Sequence, residues 1–435
     1  MRLGWVDFSK SDKAKVYDVL SIFKEKGAVD ELGFGAIRDA FANKFFPGTT
    51  TIQTRAKYFC REAYMLKKLV DGEYGLEKDK IIAAVDKDEK EYARTLVAHN
   101  KTDEGQPVTG IIGVDRVKGK TWLERKPHEI YWTGLRDLGI FDYKGMSFDS
   151  FVNVVCKDLK EKKSLGRFDK SDDDSDKDSN TVNKFHIMKL PSKLSDKELK
   201  CSSILLTNNE AEFLKERIIS QHPNTLFAFL VDTHLSDIEL CTKVFDENTT
   251  IDSSDTFAIL YNHISNELPT DIKEYMQMAI SANNLMYIAK LRYNVILERL
   301  RNDRYRKNKD KLHFYEGMWG QISSNLEYFV SVDVDVLFLR LNLIRSYKLK
   351  EFCCNIKNIV SRIAANKDSA TELYEQLDDF IKEREYFLKK KRSKLLNPPQ
   401  GEKGVGDLYL DYRLSAALRI IKDIANPISD TGKNA

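Results

Sequence analysis

Histidine is scarce in this chain, with seven among 435 residues, and none of the seven stands at a metal-ligand spacing from another. The six cysteines, Cys60, Cys156, Cys201, Cys241, Cys353 and Cys354, form no CxxC pair, and the vicinal pair is poorly placed for an ordinary structural disulfide. Scattered thiols in a long chain fit a reducing cytosol. Neither GxxxxGK[ST] nor GxGxxG occurs, which speaks against a nucleotide-driven motor. The opening MRLGWVDFSKSDKAK has no apolar core of a signal peptide, and no run reaches the ~18 apolar residues of a membrane span. The expectation is a soluble cytoplasmic protein that holds no cofactor, contains no metal site and avoids membranes.

What the chain has in quantity is charge. Charged residues make up 31%, yet 70 basic and 67 acidic side chains leave a net charge of only +3. A nucleic-acid footprint must therefore come from local clustering. Hydrophobic residues at 42% and aromatics at 11% suffice for packed cores, and the length points to several domains.

Helical periodicity dominates. NNLMYIAKLRYNVILERL sets Leu285, Ile288, Ala289, Ile296 and Leu300 on one stripe. LTNNEAEFLKERIIS has Thr207 and Glu210 at capping-box spacing and is ended by His222-Pro223, while Ser195 and Glu198 repeat the box. Strand-like runs are few: GIIGV at 110–114 and VDVDVLF at 332–338. The polar, acid-rich stretch at 157–184 reads as a flexible linker or extended loop, and 397–407 as a second polar break. The fold class expected is mainly α and multi-domain. Residues 1–155 form a helix-turn-helix or winged-helix-like region with small β elements, 156–186 an acidic linker or insertion, and 187–435 a helical domain with a sub-boundary near 397–407.

Enzyme motifs fail on single positions. HEIYW at 128–132 places Trp132 where a zinc-protease helix needs its second histidine. HNKTD at 99–103 lacks the later aspartate of a phospholipase-D-type site, where Gln106 stands. The acidic run from Asp172 to Asp176 offers Lys177 and Asn183 where a calcium loop needs glycine and glutamate. Asp88 with Lys90, an acidic-x-lysine triplet, keeps open a divergent metal-dependent nuclease.

The basic clusters carry more. GAIRDAFANKFF (35–46) reads as a helix with Ile37, Ala40, Phe41 and Phe45 inward, followed by a Pro47-Gly48 turn. With Thr50 as N-cap and Gln53 at the third position, a second helix turns Ile52, Ala56, Phe59, Ala63 and Leu66 inward. Its other face then bears Lys57, Arg61 and Lys68. Arg55 sits at the positive end of the helix dipole, and Lys57 and Arg61 are like charges one turn apart, so an anion is expected to neutralise them. Helix, turn and basic helix is the layout of a helix-turn-helix reader. The alternative is that Glu62, or an acid from elsewhere in the chain, neutralises this face. Arg125 and Lys126 lead a second helix begun by Pro127, with Ile130, Gly134, Leu135 and Leu138 as its core stripe. RLRNDRYRKNKDK (299–311) contributes Arg304 and Arg306, and KEREYFLKKKRSK (382–394) contributes Lys390 and Arg392. Tyr305 and Tyr386 within them are placed to stack on bases.

Several phrases together resemble an uncharacterised bacterial family of unknown function: GWVDFS (4–9), RDAFANKFFPGTTTIQTRAKYF (38–59), RKPHEIYWTGLRDLGIF (125–141), LTNNEAEFLKERI (206–218), AILYN (258–262), EREYFLKKKRSKLLN (383–397) and LDYRLSAALRIIKDI (410–424). The resemblance covers most of the chain. It departs at the acidic 157–184 segment and at Leu414, where the family tends to have tryptophan. It carries no activity across. It implies a context, since such genes tend to lie beside helicases and nucleases in phage-defence or DNA-processing islands. The expected function is a non-catalytic, DNA-binding accessory protein that docks a helicase or nuclease encoded nearby. An interaction scaffold without nucleic acid is the alternative.

Overall fold

The computed structural model describes residues 30–102, 105–119, 121–141, 146–168, 203–233, 255–306, 309–365, 370–400 and 408–428. The architecture is mainly helical, as the periodicity predicts, and no helix among the described residues is long and apolar enough to cross a membrane. The chain forms two compact units. Among the described residues the first takes 46–233 and 413–428, and the second takes 30–45 and 255–412.

The first unit contains α2 (Lys57–Val70), α3 (Lys78–His99), α4 (Pro127–Asp137), α5 (Phe148–Phe168), α6 (Asn208–Gln221), α7 (Leu226–Thr233) and α15 (Leu414–Ala425). α2 packs on α4 and α5, and α6 packs on α7 and α15. Tyr58 and Phe59 of α2 meet Tyr131 of α4 at ring distances of 5.4 and 4.9 Å, and Trp132, Phe141 and Phe151 form a second aromatic nest. α4 begins at Pro127 and buries Ile130, Gly134, Leu135 and Leu138, the expected stripe. Only glycine fits at Gly134, where an added Cβ would lie 2.5 Å from both the Gly48 carbonyl oxygen and the Phe59 ring.

The second unit contains α1 (Gly35–Phe45), α8 (Thr256–Ile264), α9 (Thr270–Tyr305), α10 (Lys309–Ile322), α11 (Leu326–Phe329), α12 (Val334–Arg340), α13 (Tyr347–Ala365) and α14 (Ala370–Lys389). Its axis is α9, 36 residues and about 54 Å long. The expected stripe of α9 is buried at Leu285, Ile288, Ala289 and Ile296, with Arg292 buried among them, and Asn283, Asn294 and Glu298 are buried on the opposite side. α10, α13 and α14 pack around it. Phe41 and Phe45 of α1 close on Phe257 and Tyr412.

Several expectations need correction. Among the described residues there is no strand, only the isolated bridges Lys101–Pro107 and Thr207–Ile428, so the small β elements and the winged helix are not supported. GIIGV fails as a strand because Gly110 and Gly113 adopt φ of 91° and 86°, outside extended space. VDVDVLF becomes α12 because Asp333 caps the Val336 amide at 3.0 Å. The second helix starts at Lys57, seven residues beyond Thr50, and Thr50 Oγ1 is buried without a partner. Gln53 instead clamps the turn, accepting from the Thr50 amide and donating to the Gly48 carbonyl. α5 runs through Phe168, so 157–168 is helix; the rest of the expected linker, and the Ser195–Glu198 box, lie outside the described residues. The Thr207–Glu210 box forms as expected, with His222 as C-cap.

Candidate nucleic-acid interface

Arg55, Lys57 and Arg61 each meet an acid from a different helix of the first unit. Arg55 forks onto Asp423 of α15 through Nε and Nη2, with the Nη2 contact at 2.7 Å, and the Ala56 amide donates to the same carboxylate at 2.8 Å. Lys57, 4% exposed, donates to Glu210 of α6, 2% exposed, at 2.6 Å. Arg61 is paired with Asp88 of α3 and lies over the Tyr92 ring. Tyr131 pins the strap before α2 by accepting from the Thr54 and Arg55 amides and donating to the Arg55 carbonyl. Burial opposes charge on Arg61, but Asp88 and Glu62 hold its pKa above the ordinary value. Burial likewise pushes Asp88 up, yet Arg61 and the Tyr74 hydroxyl bring it below the usual carboxylate range.

Behind this face lies a buried carboxyl pair. Glu62 of α2 and Glu89 of α3 are hydrogen-bonded and nearly inaccessible, and each keeps one oxygen without a partner. The Glu89 Oε1 accepts both the backbone amide and Nδ1 of His128, each at 2.9 Å. Burial, and next the adjacent Glu89, push the Glu62 carboxyl well above its ordinary value, while Arg61 pulls it down. Tyr58, Tyr92 and Asp88 complete the surroundings. A folded-state pKa above the unfolded one contributes stability that is full below the ordinary value of 4.5 and drains away as pH rises through the folded value. Glu62→Gln, which imitates the protonated acid, is therefore expected to melt above the native chain at about pH 8 and to lose that advantage toward about pH 5. Melting curves across the range check it, and parallel pH profiles would refute it.

The remaining candidates of the first unit are looser. Lys126 pairs with Asp86 at 2.7 Å, Lys68 lies half-buried with its amine 5.9 Å from the Tyr64 ring, and Arg125 is exposed. The nuclease pair diverges, because Asp88 faces Arg61 and Tyr74 whereas Lys90 donates to the Gly119 carbonyl. Among the described residues no group of three metal-ligating side chains converges.

In the second unit the geometry differs. Arg304 and Arg306 end α9, and Lys390, Lys391 and Arg392 form a short 3-10 turn directly after α14. Tyr305 donates to the Pro398 carbonyl at 3.0 Å, so the chain leaving the basic turn reaches the last turn of α9. The six residue steps from Arg392 to Pro398 span at most about 22 Å, which brings the two basic runs to one end of the unit. Buried Glu385 holds that turn, accepting from Tyr293, the Ser393 hydroxyl and the Lys394 and Leu395 amides. Arg304, Arg306, Lys390, Lys391 and Arg392 are all exposed. None of the five forms an ion pair with an acid among the described residues, whereas neighbouring Lys394 is paired with Glu31 and Arg299 with Glu316. Arg306 and Lys390 both take φ of 50°, the left-handed helix cap where glycine is the default. Nothing local in the sequence says that two runs some 85 positions apart converge; the signal available is only the density of cations in each.

A model for the "Family of unknown function (DUF6361)" matches residues 1–428. No curated protein and no solved structure matches the chain.

Proposed function

Since the chain belongs to this DUF6361 family across nearly its whole length, we propose that it is a nucleic-acid-binding accessory protein, DNA being the favoured ligand, and that its phosphate contacts lie at the basic end of the second unit. The observation that carries this reading is the exposed set Arg304, Arg306, Lys390, Lys391 and Arg392 on one rigid end of the helical unit. Cations displayed without acid partners can exchange their counterions for phosphates, which is the main source of sequence-independent affinity. Arg55, Lys57 and Arg61 are less suited to it, because releasing them to a phosphate would strand Asp423, Glu210 and Asp88. On the context that the resemblance implies, its place would be next to a helicase or nuclease of a defence or DNA-processing system.

The test is a quadruple variant, Arg304→Ala/Arg306→Gly/Lys390→Gly/Arg392→Ala. Glycine at the two left-handed positions relieves backbone strain, so stability is expected to hold. Affinity for a DNA oligonucleotide is expected to fall, and its salt slope to flatten by about 0.9 for each cation that meets a duplex phosphate and about 0.7 on a single strand. An unchanged slope refutes the assignment. A second reading, a protein-docking scaffold, draws on Val336, Leu339, Ile344 and Tyr347, large apolar side chains exposed within one short stretch. Its expected signature is a stoichiometric complex with a neighbouring gene product that survives nuclease treatment and is lost in Leu339→Glu/Ile344→Glu.

A further inference from the structure

We propose that this basic end takes single-stranded nucleic acid, with bases stacked on Tyr386 and Phe387; the inference rests on the phosphate-binding reading of the same surface and names the form of its ligand. Tyr386 and Phe387, in the last turns of α14, are 57% and 58% exposed, and Leu396 beyond the basic turn is 58% exposed. In the same unit Phe41, Phe45, Phe257 and Tyr412 are buried against one another, while Phe314, Tyr328 and Tyr347 are exposed as this pair is. What sets Tyr386 and Phe387 apart is the three exposed cations that follow them, and that pairing fits a ligand with both a flat apolar face and a negative charge.

Spacing supports the pairing of the two features. Tyr386 and Phe387 stand three and two residues before the end of α14, and Lys390, Lys391 and Arg392 follow that end directly. α14 ends at Lys389, so the cations leave the helix just where the rings stand. Glu385, buried between the rings' helix and the turn, fixes both to one scaffold through Ser393, Lys394 and Leu395. In a duplex the base faces are covered by their neighbours, and exposed rings add nothing to a backbone contact. In a single strand the bases splay out, every base offers a π-face, and a stacking ring beside a phosphate-binding cation serves any sequence. DNA and RNA share this chemistry.

The full-length protein is titrated by fluorescence anisotropy with an oligothymidylate, an oligouridylate, a duplex of the same length and phosphatidylserine vesicles. The expected result is tighter binding of a single strand than of the duplex, with the thymidylate and uridylate arms telling DNA from RNA. In Tyr386→Ala/Phe387→Ala the single-strand affinity is expected to drop roughly 5- to 150-fold for each base that loses its platform, with an unchanged salt slope and unchanged duplex affinity. The conservative Tyr386→Phe/Phe387→Tyr variant is expected to bind like the native chain. Both side chains being exposed, the melting temperature serves as a folding control. If the double alanine variant binds the single strand as tightly as the native chain, or if duplex is preferred, stacking is overturned while the phosphate reading stands. If no oligonucleotide binds, both fall; vesicle binding alone would replace them with a lipid surface.

Discussion

Glu210→Ala is expected to cost the first unit about 3–5 kcal/mol, the usual loss when one member of a buried ion pair is removed. Lys57 would be left at 4% exposure with a charge and no acceptor. The same substitution removes half of the capping box, since Glu210 also accepts the Thr207 amide at 2.8 Å. Buried ion pairs are weak evidence of net stability, however, because desolvation offsets most of the Coulomb attraction. Removing both charges should therefore cost far less than removing one. Lys57→Met/Glu210→Gln, which keeps a capping side chain and replaces the ammonium with apolar volume, is expected to recover most of the loss. Urea unfolding read through amide exchange in α2 and α6 measures both. A single-variant loss below about 1 kcal/mol would show that the pair is screened like a surface bridge.

Asp423→Ala is expected to lose roughly 3 kcal/mol, near the lower end of the range because the Arg55 side chain keeps 14% of its surface accessible. Three donors from Arg55 and Ala56 converge on that one carboxylate, and it stands on α15, 368 residues further along the chain. Protection of the α15 amides should fall together with that of α2, since Asp423 links the two. Affinity for single-stranded oligonucleotide should not change, because the proposed contacts belong to the second unit. A gain in affinity on freeing Arg55 would return the phosphate site to the 55–61 region. A loss confined to α15, with α2 unaffected, would refute the link.

These two outcomes separate stability from binding in a chain where both depend on basic residues. Lys57 and Arg392 are both cations in dense polar sequence, and composition does not tell them apart. Their acids do: Lys57 meets Glu210, 153 positions away, whereas Arg392 meets no acid among the described residues. The strand readings failed for a related reason. Alternation in VDVDVLF fits a strand as well as a capped helix, and only a neighbouring strand, absent among the described residues, could have settled it as β.

By itself the sequence determined what depends on near neighbours. Thr207 and Glu210 are close enough to close their own box, Pro127 fixes the start of α4, and the apolar period sets the inner faces of α1, α4 and α9. It also determined that cations of the chain sit in clusters, and that the clusters at 299–311 and 382–394 carry aromatics. The tertiary structure alone decided which of those cations are spent on internal acids and which face water. It also decided that the ends of α9 and α14 are joined at Tyr305 and Pro398. The reason is physical: an ion pair or a shared surface is set by distance in space, and in this chain those distances are closed between residues up to 368 positions apart.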